Sequence, residues 1–303
     1  MLHFARFAVD EVLRRSPLQV GMERWSRRRL KVLAYHGVDD PVQFELHLRH
    51  VHVHGLPVGQ TQVLDHLRGA ALPRGPVLIT FDDGRRSVIE RGLPLLRRYA
   101  TPALVFVVAG HIDSDKPLWW DELEWLTRAH SPARAASLKA QLKRAPNDIR
   151  LAVLKDLRSR VATSLRTPQL TRADLLELQS SGVEIGNHTL THPILPNCSI
   201  EKATEEIVRS HELLTKLLGR SPVSFAYPYG ARDPRIEALL ADLGYRLVFT
   251  FDHRVNPAPL NPCRVSRLRV DSSTSLSRFA VILSGLHPAI HALRNVRARG
   301  AVG

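Results

Sequence analysis

Three clusters of polar residues stand directly after three apolar runs of the sequence. The clusters are Asp82 with Asp83, His188 with His192, and the segment 227–230. The apolar run before each cluster reads as a buried strand of a parallel sheet, and the carboxyl ends of such strands face the ligand. We therefore expect the three clusters to converge in space, with the glycines at or beside them supplying tight turns.

The residue types in these clusters favour a bound metal ion. Adjacent carboxylates at a strand end are costly unless a cation neutralises them. Two histidines four residues apart can reach one ion, and one carboxylate completes a set that leaves positions open for water and substrate. Asp83, His188 and His192 are the predicted ligands, and Asp82 would stand beside the bound water as a base.

The same residues resemble the motifs of a known family, the NodB-homology polysaccharide deacetylases of carbohydrate esterase family four. The matching segments are Thr-Phe-Asp-Asp-Gly at 80–84, His-Thr-Leu-Thr-His at 188–192 and Tyr-Pro-Tyr-Gly at 227–230. Their order and spacing agree with the family, and the resemblance covers roughly residues 31–270. It implies a deformed (β/α) barrel and metal-dependent hydrolysis of acetyl groups, usually N-acetyl groups, from a glycan or lipid-linked saccharide.

By this resemblance, Asp82 is the catalytic base. Asp83, His188 and His192 would hold one divalent ion, zinc or a similar metal. The acetylated saccharide is the expected partner of the site. Two alternatives stay open: an esterase that removes O-acetyl groups, and a deacetylase-like protein that binds carbohydrate without turnover.

Further residues of the site follow from the third cluster and from the first strand. The backbone N–H of Tyr229 is the predicted donor to the reaction's oxyanion, because it is a free amide directly after Pro228. Gly84, Tyr227, Pro228 and His36 are predicted to contact substrate. His36 belongs to a Tyr-His-Gly-Val segment that also resembles the first strand of many bacterial members of the family.

The sequence departs from the family at two places. An arginine that orients the base usually stands two positions before the proline of the third motif, where this chain has Ala226. The last motif usually supplies a histidine as general acid, and His287 matches it imperfectly. The arginines that could replace the missing one are Arg232, Arg264, Arg267 and Arg269.

The elements that must position these residues alternate between strand and helix. Such alternation predicts an α/β fold with a parallel sheet, here closed into the deformed barrel that the family resemblance implies. We expect a basic amphipathic segment over 1–30, a NodB-like domain over 31–278 and a basic tail over 279–303. A polar, mostly helical stretch at about 114–170 reads as an insertion, and its tryptophans 119, 120 and 125 could anchor it or contact sugar.

The distribution of charge excludes some partners. The net charge is +14, from 43 Lys+Arg and 29 Asp+Glu. Residues 1–31 carry eight basic and three acidic side chains, and residues 264–303 carry seven and one, so the two ends hold most of the excess. The nearly balanced middle argues against a nucleic-acid groove, whereas basic ends suit peripheral contact with an anionic membrane.

The remaining composition bears on compartment. Two cysteines without a CxxC pair make neither a disulfide framework nor a zinc knuckle. No apolar run reaches 18 residues, and the first 12 residues lack the pattern of a signal peptide. We expect a cytoplasmic protein, peripheral at the inner membrane if its basic ends bind lipid, and the sequence leaves its oligomeric state open.

Overall fold

A parallel sheet of eight strands forms the centre of the protein. The computed structural model describes the backbone of residues 2–300 and the side chains of residues 8–294. The strands are β1 (Lys31–Tyr35), β2 (Leu56–Pro57), β3 (Pro76–Phe81), β4 (Ala103–Val107), β5 (Val183–Asn187), β6 (Ser224–Ala226), β7 (Leu247–Phe249) and β8 (Leu268–Arg269). Their order is β7-β6-β5-β4-β3-β1-β8, and β2 pairs with the start of β3.

The two edges of this sheet are joined by the segment that leads into β8. The Val265 amide donates to Val248 at 2.8 Å, and the Thr250 amide donates to Val265 at 2.9 Å. On its other side, β8 pairs with β1 in parallel, with Leu33 opposite Leu268. The sheet thus curls into the deformed (β/α) barrel that the sequence predicts.

The strands are apolar on both faces because both faces are covered. All six residues of β3 and all five of β1 are buried. Alternate side chains enter two different cores: Ile79 packs with residues of α3, α5, α9 and α12, whereas Leu78 packs with Leu104, Phe249 and residues of α4. Continuous apolar runs, rather than alternating ones, are what such a sheet requires.

Thirteen helices surround the sheet in the described part of the chain. They are α1 (Leu2–Arg14), α2 (Pro17–Ser26), α3 (Pro41–His54), α4 (Gln60–Leu67), α5 (Leu93–Arg98), α6 (Trp119–Leu126), α7 (Pro132–Arg144), α8 (Asn147–Ser159), α9 (Arg172–Ser180), α10 (Ile200–Leu218), α11 (Glu237–Asp242), α12 (Leu276–Leu283) and α13 (Leu286–Gly300). Their starts follow local chemistry, as in α10, where the Ser199 hydroxyl accepts from the Lys202 amide at 3.2 Å. The same helix ends at Gly219, whose φ of 69° few other residues adopt.

The predicted insertion between β4 and β5 forms α6, α7 and α8. These helices share a small core, to which Trp119, Leu142 and Leu154 contribute and which also includes Ile194 from beyond β5. Trp119 is only 8% exposed. Of the two roles expected for the tryptophans, anchoring and sugar contact, its burial fits anchoring of the insertion. Trp125 is half-buried and packs against the guanidinium of Arg128.

The two ends of the chain meet on one side of the barrel. Helix α1 packs along α12, and Arg278 of α12 lies 3.3 Å from the buried carboxylate of Asp10. The expected boundary at residue 279 falls inside α12, whose Phe279 and Ile282 are buried in the main core. The expected apolar positions Val9 and Val12 of α1 are exposed, while the side chains of Leu2 and Ala5 and all of residues 301–303 lie outside the described residues.

Within residues 2–300, no single helix is long and apolar enough to cross a membrane. Helix α12 and the stretch Leu286–Arg294 meet that requirement only as a pair, which is bent by 78° at its break. Most side chains of α12 are buried against the rest of the protein.

Because α12 packs into the core, truncation of one of its buried side chains should lower the stability of the protein. We expect Phe279→Ala to lower the free energy of unfolding by about 3–5 kcal/mol, because it leaves a cavity where a fully buried ring packed. Urea denaturation followed by circular dichroism measures this change. Leu293→Ala, at a side chain that is 65% exposed, should change stability by less than about 0.5 kcal/mol. Equal effects of the two substitutions would contradict the packing described for α12.

Candidate active site

The carboxyl ends of β1, β3, β5 and β6 open into one cleft with a volume of about 490 Å³. The three polar clusters predicted from sequence meet in it. The cleft is lined by His36, Gly37, Asp39, Asp82, Asp83, Arg85, Trp120, Lys139, Lys143, His188, His192, Tyr229, Gly230, Phe251, Arg269 and Asp271.

Asp82 and Asp83 leave β3 in a turn that points both carboxylates into the cleft. The Asp82 amide still donates to Tyr35 of β1 at 2.8 Å, so the turn begins where the sheet's hydrogen bonding ends. Asp83 adopts a φ of 74°, a strained conformation for a residue with a side chain. The two residues are 3% and 2% exposed, so both charges are largely removed from water.

Asp83 and the two histidines form a set suited to a cation. The Nε2 atoms of His192 and His188 lie 3.3 Å and 3.7 Å from Oδ1 of Asp83. One ligand atom from each of the three residues falls within 4.8 Å of the others. Both carboxylate oxygens of Asp83 are buried without a hydrogen-bond partner, although such a group is costly to leave unpaired. A divalent ion bound by these three residues would compensate that carboxylate.

The protonation state of His188 also fits a ligand. Its Nδ1 lies 2.7 Å from the backbone oxygen of Ala226, so this nitrogen carries the proton and Nε2 presents a lone pair to the cleft. Burial lowers the pKa of His188 to about 4, outweighing the charges of Asp82 and Asp83. The ring is therefore neutral at physiological pH, as a metal ligand must be.

The loop that carries the two histidines is held by a buried glutamate that sequence reasoning missed. Glu206 of α10 is fully buried, and its carboxylate accepts from the amides of Leu190 and Thr191 at 3.1 Å and 2.8 Å. It also accepts from the Thr191 hydroxyl at 2.7 Å. A signal existed in the sequence, because Glu206 occupies the face of an amphipathic helix that Ile207 and other buried residues share.

A second brace holds the start of the same loop. The Asn187 side chain accepts from the Thr189 amide at 2.8 Å and donates to the hydroxyls of Ser210 and Tyr245. Thr189 and His192 both have positive φ, at 70° and 60°. The surrounding hydrogen bonds therefore maintain a backbone shape that the loop would not adopt alone.

Arg267 contacts the Asp82 carboxylate, which has no arginine partner from position 226. Its Nη1 lies 2.5 Å from Oδ1 of Asp82, and its Nε donates to the Thr250 backbone at 2.9 Å. Burial by itself would raise the pKa of Asp82, but the Arg267 guanidinium, together with His188 and His36, holds that pKa below its usual value. Of the four arginines named from sequence, Arg267 is the one that contacts the carboxylate, while Arg232 pairs with Glu237.

Aromatic rings form one wall of the cleft. The Trp120 ring meets that of His192 edge-on at 4.6 Å and that of Tyr229 at 5.5 Å. Tyr229 has a φ of 59° in the turn after β6. The next residue must be glycine, because a Cβ on Gly230 would lie 2.3 Å from the Phe251 amide nitrogen. Trp120 is thus the tryptophan of the insertion that faces the candidate site.

Three predicted substrate contacts do not line the cleft, which corrects the sequence reading. Tyr227 is fully buried, its ring 5.2 Å from that of Phe225, so its side chain supports the turn instead. Pro228 is also buried, and a Cβ added to Gly84 would contact Val107. His36, the fourth predicted contact, does line the cleft.

The histidine suggested by the last family motif is elsewhere. His287 lies in α13, where its ring nitrogens contact His253 at 2.8 Å and Arg278 at 3.0 Å. His36 follows β1 directly, and its ring meets Phe251 edge-on at 5.9 Å. Among the described residues that line the cleft, the histidines are His36, His188 and His192.

Comparisons with known proteins find sequence and structural relatives of this chain. A family model described as polysaccharide deacetylase matches residues 69–248. Chitin deacetylase 1 of Cryptococcus neoformans is 33% identical over 76 residues, which are 25% of this chain and 16% of that protein. The peptidoglycan-N-acetylmuramic acid deacetylase PdaC of Bacillus subtilis is 32% identical over 56 residues, or 18% of this chain and 12% of the relative. The matches thus span only small parts of these relatives.

Solved structures resemble the chain over most of its length. The Streptococcus pyogenes deacetylase PplD superimposes with a TM-score of 0.61 at 20% identity, covering 85% of this chain and 99% of that one. IcaB from Ammonifex degensii gives a TM-score of 0.58 at 23% identity, covering 85% and 97%. At such identities the likeness shows the fold.

The arrangement of the three ligands predicts how metal content should respond to mutation. We expect about one divalent ion per chain in the purified protein, and a large loss in His188→Ala and in His192→Ala, because two side chains cannot hold the ion as three do. Inductively coupled plasma mass spectrometry measures it directly. His54→Ala, at an exposed histidine of α3, should keep full occupancy. Full metal content in both ligand variants would show that the site is wrongly assigned.

Proposed function

Because the chain belongs to the polysaccharide deacetylase family, we propose that it removes N-acetyl groups from an acetylated saccharide with the help of one divalent ion, zinc or a similar metal. The observation that carries this proposal is the buried Asp83 carboxylate, unpaired and facing two histidines, beside an Asp82 paired to arginine. Arg267 balances the charge of Asp82, whereas the charge of Asp83 is left for a cation.

The bound ion would polarise the acetyl carbonyl and lower the pKa of a water from about 15.7 toward 7. Asp82 would take a proton from the attacking water as a general base. The Arg267 contact keeps Asp82 ionised and fixes its orientation, so a carboxylate is present before the water arrives. Asp82 is the base in this scheme, and Arg267 is a positioning residue.

Two further groups would serve the later steps. The Tyr229 amide, in the turn after β6, is the proposed donor to the oxyanion that would develop at the acetyl carbonyl oxygen. One such donor is typically worth about 3 kcal/mol. The departing amine needs a proton, and His36 is the proposed donor because it lines the cleft and is free of the metal set.

The alternatives differ in what they need from the site. A protein that binds carbohydrate without turnover has no need for an oriented base, so the Arg267–Asp82 pair favours an enzyme. An O-acetyl esterase needs the same base and ion but a weaker acid, since an alkoxide leaves more readily than an amide nitrogen.

Mass spectrometry after incubation with zinc-loaded protein separates these functions. We expect N-acetylated chito-oligosaccharides to lose acetyl groups with release of acetate. Hydrolysis of acetyl esters alone would support the esterase, and tight binding without release of acetate would support the binding protein.

Substitution of Asp82 and substitution of Asp83 should have different effects on turnover and on metal binding. Asp82→Asn should keep the metal and lose turnover by about 10²–10⁴-fold, because the base is removed and the ligands remain. Asp83→Asn should weaken metal binding itself, since a neutral amide supplies no charge to the ion. Acetate release and metal content are measured on both, with Asp65→Asn on the surface of α4 as the control. Equal loss of metal in both variants would remove the distinction between base and ligand.

The proposed acid can be tested through the leaving group. His36→Ala should slow hydrolysis of an N-acetyl sugar by about 10²–10⁴-fold. The same variant should lose far less activity on 4-nitrophenyl acetate, whose phenolate leaves without a proton. His54→Ala serves as the matched control. An equal loss on both substrates would assign His36 to binding or to structure instead.

A further inference from the structure

A second cavity, of about 310 Å³, lies between α2, α3 and α12. Lys31, the first residue of β1, lines it, whereas the active-site cleft opens beyond the last residue of the same strand. Four residue steps at about 3.3 Å each put the two ends of β1 about 13 Å apart. The charged and titratable residues around the cavity are Glu23, Arg24, Arg27, Lys31, His50 and His54.

Lys31 is the unusual member of this group. Its side chain is buried, with the residue only 4% exposed, yet no hydrogen bond or ion pair to it exists among the described side chains. Removal of an ammonium from water is costly unless a partner compensates it. Burial lowers its pKa to about 8, and the negative charge of Glu23 opposes this only in part. A largely buried cation that forms no ion pair, at the wall of a cavity, suits an anionic ligand.

The arginines of the cavity are also without carboxylate partners. Neither Arg24 nor Arg27 forms an ion pair within the described part of the chain, whereas Arg14 on the neighbouring helix pairs with Glu11 at 2.7 Å. Three cations and the single carboxylate of Glu23 leave a formal charge of +2. The cavity therefore offers two uncompensated positive charges to a ligand.

We propose that this cavity binds a phosphate group. A phosphate carries a charge of about −1.5 to −2 and three acceptor oxygens, which match the excess charge and the several donors around the cavity. A carboxylate would satisfy half of that charge. Val20, Val53 and Leu283 complete the walls, so the group that bears the phosphate meets apolar surface. The phosphate can come from a lipid headgroup or from a soluble phosphate ester.

Calorimetric titration with inorganic phosphate and with glycerol 3-phosphate tests the site on the full chain. We expect Lys31→Met to weaken binding by about tenfold or more, because it removes the charge while keeping most of the length of the side chain. Arg27→Gln, at an exposed position where misfolding is not a concern, should weaken it severalfold. Arg28→Gln is the matched control, since Arg28 is equally exposed but lies outside the cavity, and it should bind as the wild type does.

Vesicles distinguish the two sources of phosphate. Sedimentation with phosphatidylcholine vesicles, with and without phosphatidic acid, is measured for the same four proteins. Lys31-dependent binding to the acidic vesicles supports a lipid headgroup and contact of this face with an anionic membrane. Lys31-dependent binding to the soluble esters alone supports a soluble ligand.

The proposal is overturned if Lys31→Met and Arg27→Gln weaken neither the binding of the soluble phosphate compounds nor the binding to acidic vesicles. Binding that persists unchanged in both variants would belong to the active site or to general surface charge. Acetate release from a soluble substrate, measured alongside, should be the same in all four proteins, since the cavity and the cleft lie at opposite ends of β1. Failure of the phosphate site is thereby distinguishable from failure of the proposed deacetylase activity.

Discussion

Two adjacent carboxylates buried at the end of β3 impose the constraint on which the rest of the site depends. Neither Asp82 nor Asp83 can remain ionised out of water without a nearby positive charge. The protein supplies that charge to Asp82 through Arg267 and leaves Asp83 facing two histidine nitrogens. The unequal treatment of two neighbouring, chemically identical groups is what separates a proposed base from a proposed ligand.

The shape of the site is maintained by groups that touch neither carboxylate. Glu206 and Asn187 hold the histidine loop through its backbone amides, and both are fully buried. Positive φ values recur at Asp83, His192 and Tyr229, which face the cleft from three different strand ends. Such conformations persist only where surrounding contacts determine them. The hydrogen bonds from Glu206 and Asn187 are therefore needed to keep the histidine loop in this conformation.

The barrel uses the two ends of its strands differently. At the carboxyl ends, turns release buried acidic groups and histidines into a cleft that Trp120 and Tyr229 border. At the amino end of β1, the terminal helices α2 and α12 enclose a cavity in which positive charge is in excess. The segments that lie outside the family match thus contribute a cavity with an excess of basic side chains.

The sequence by itself determined the parts that depend on residues close together in the chain. Asp82 and Asp83 are adjacent, His188 and His192 are four apart, and each pair follows a short run that suits a covered strand. The barrel, the helical insertion and the meeting of the three clusters followed from that local pattern and from the family resemblance. Only the tertiary structure decided which arginine pairs with Asp82, because Arg267 is 185 residues away and three other arginines had equal claim. It also moved Tyr227 out of the cleft and made α12 part of the core. These outcomes depend on how distant segments pack, and the periodicity of a single segment carries no record of its distant neighbours.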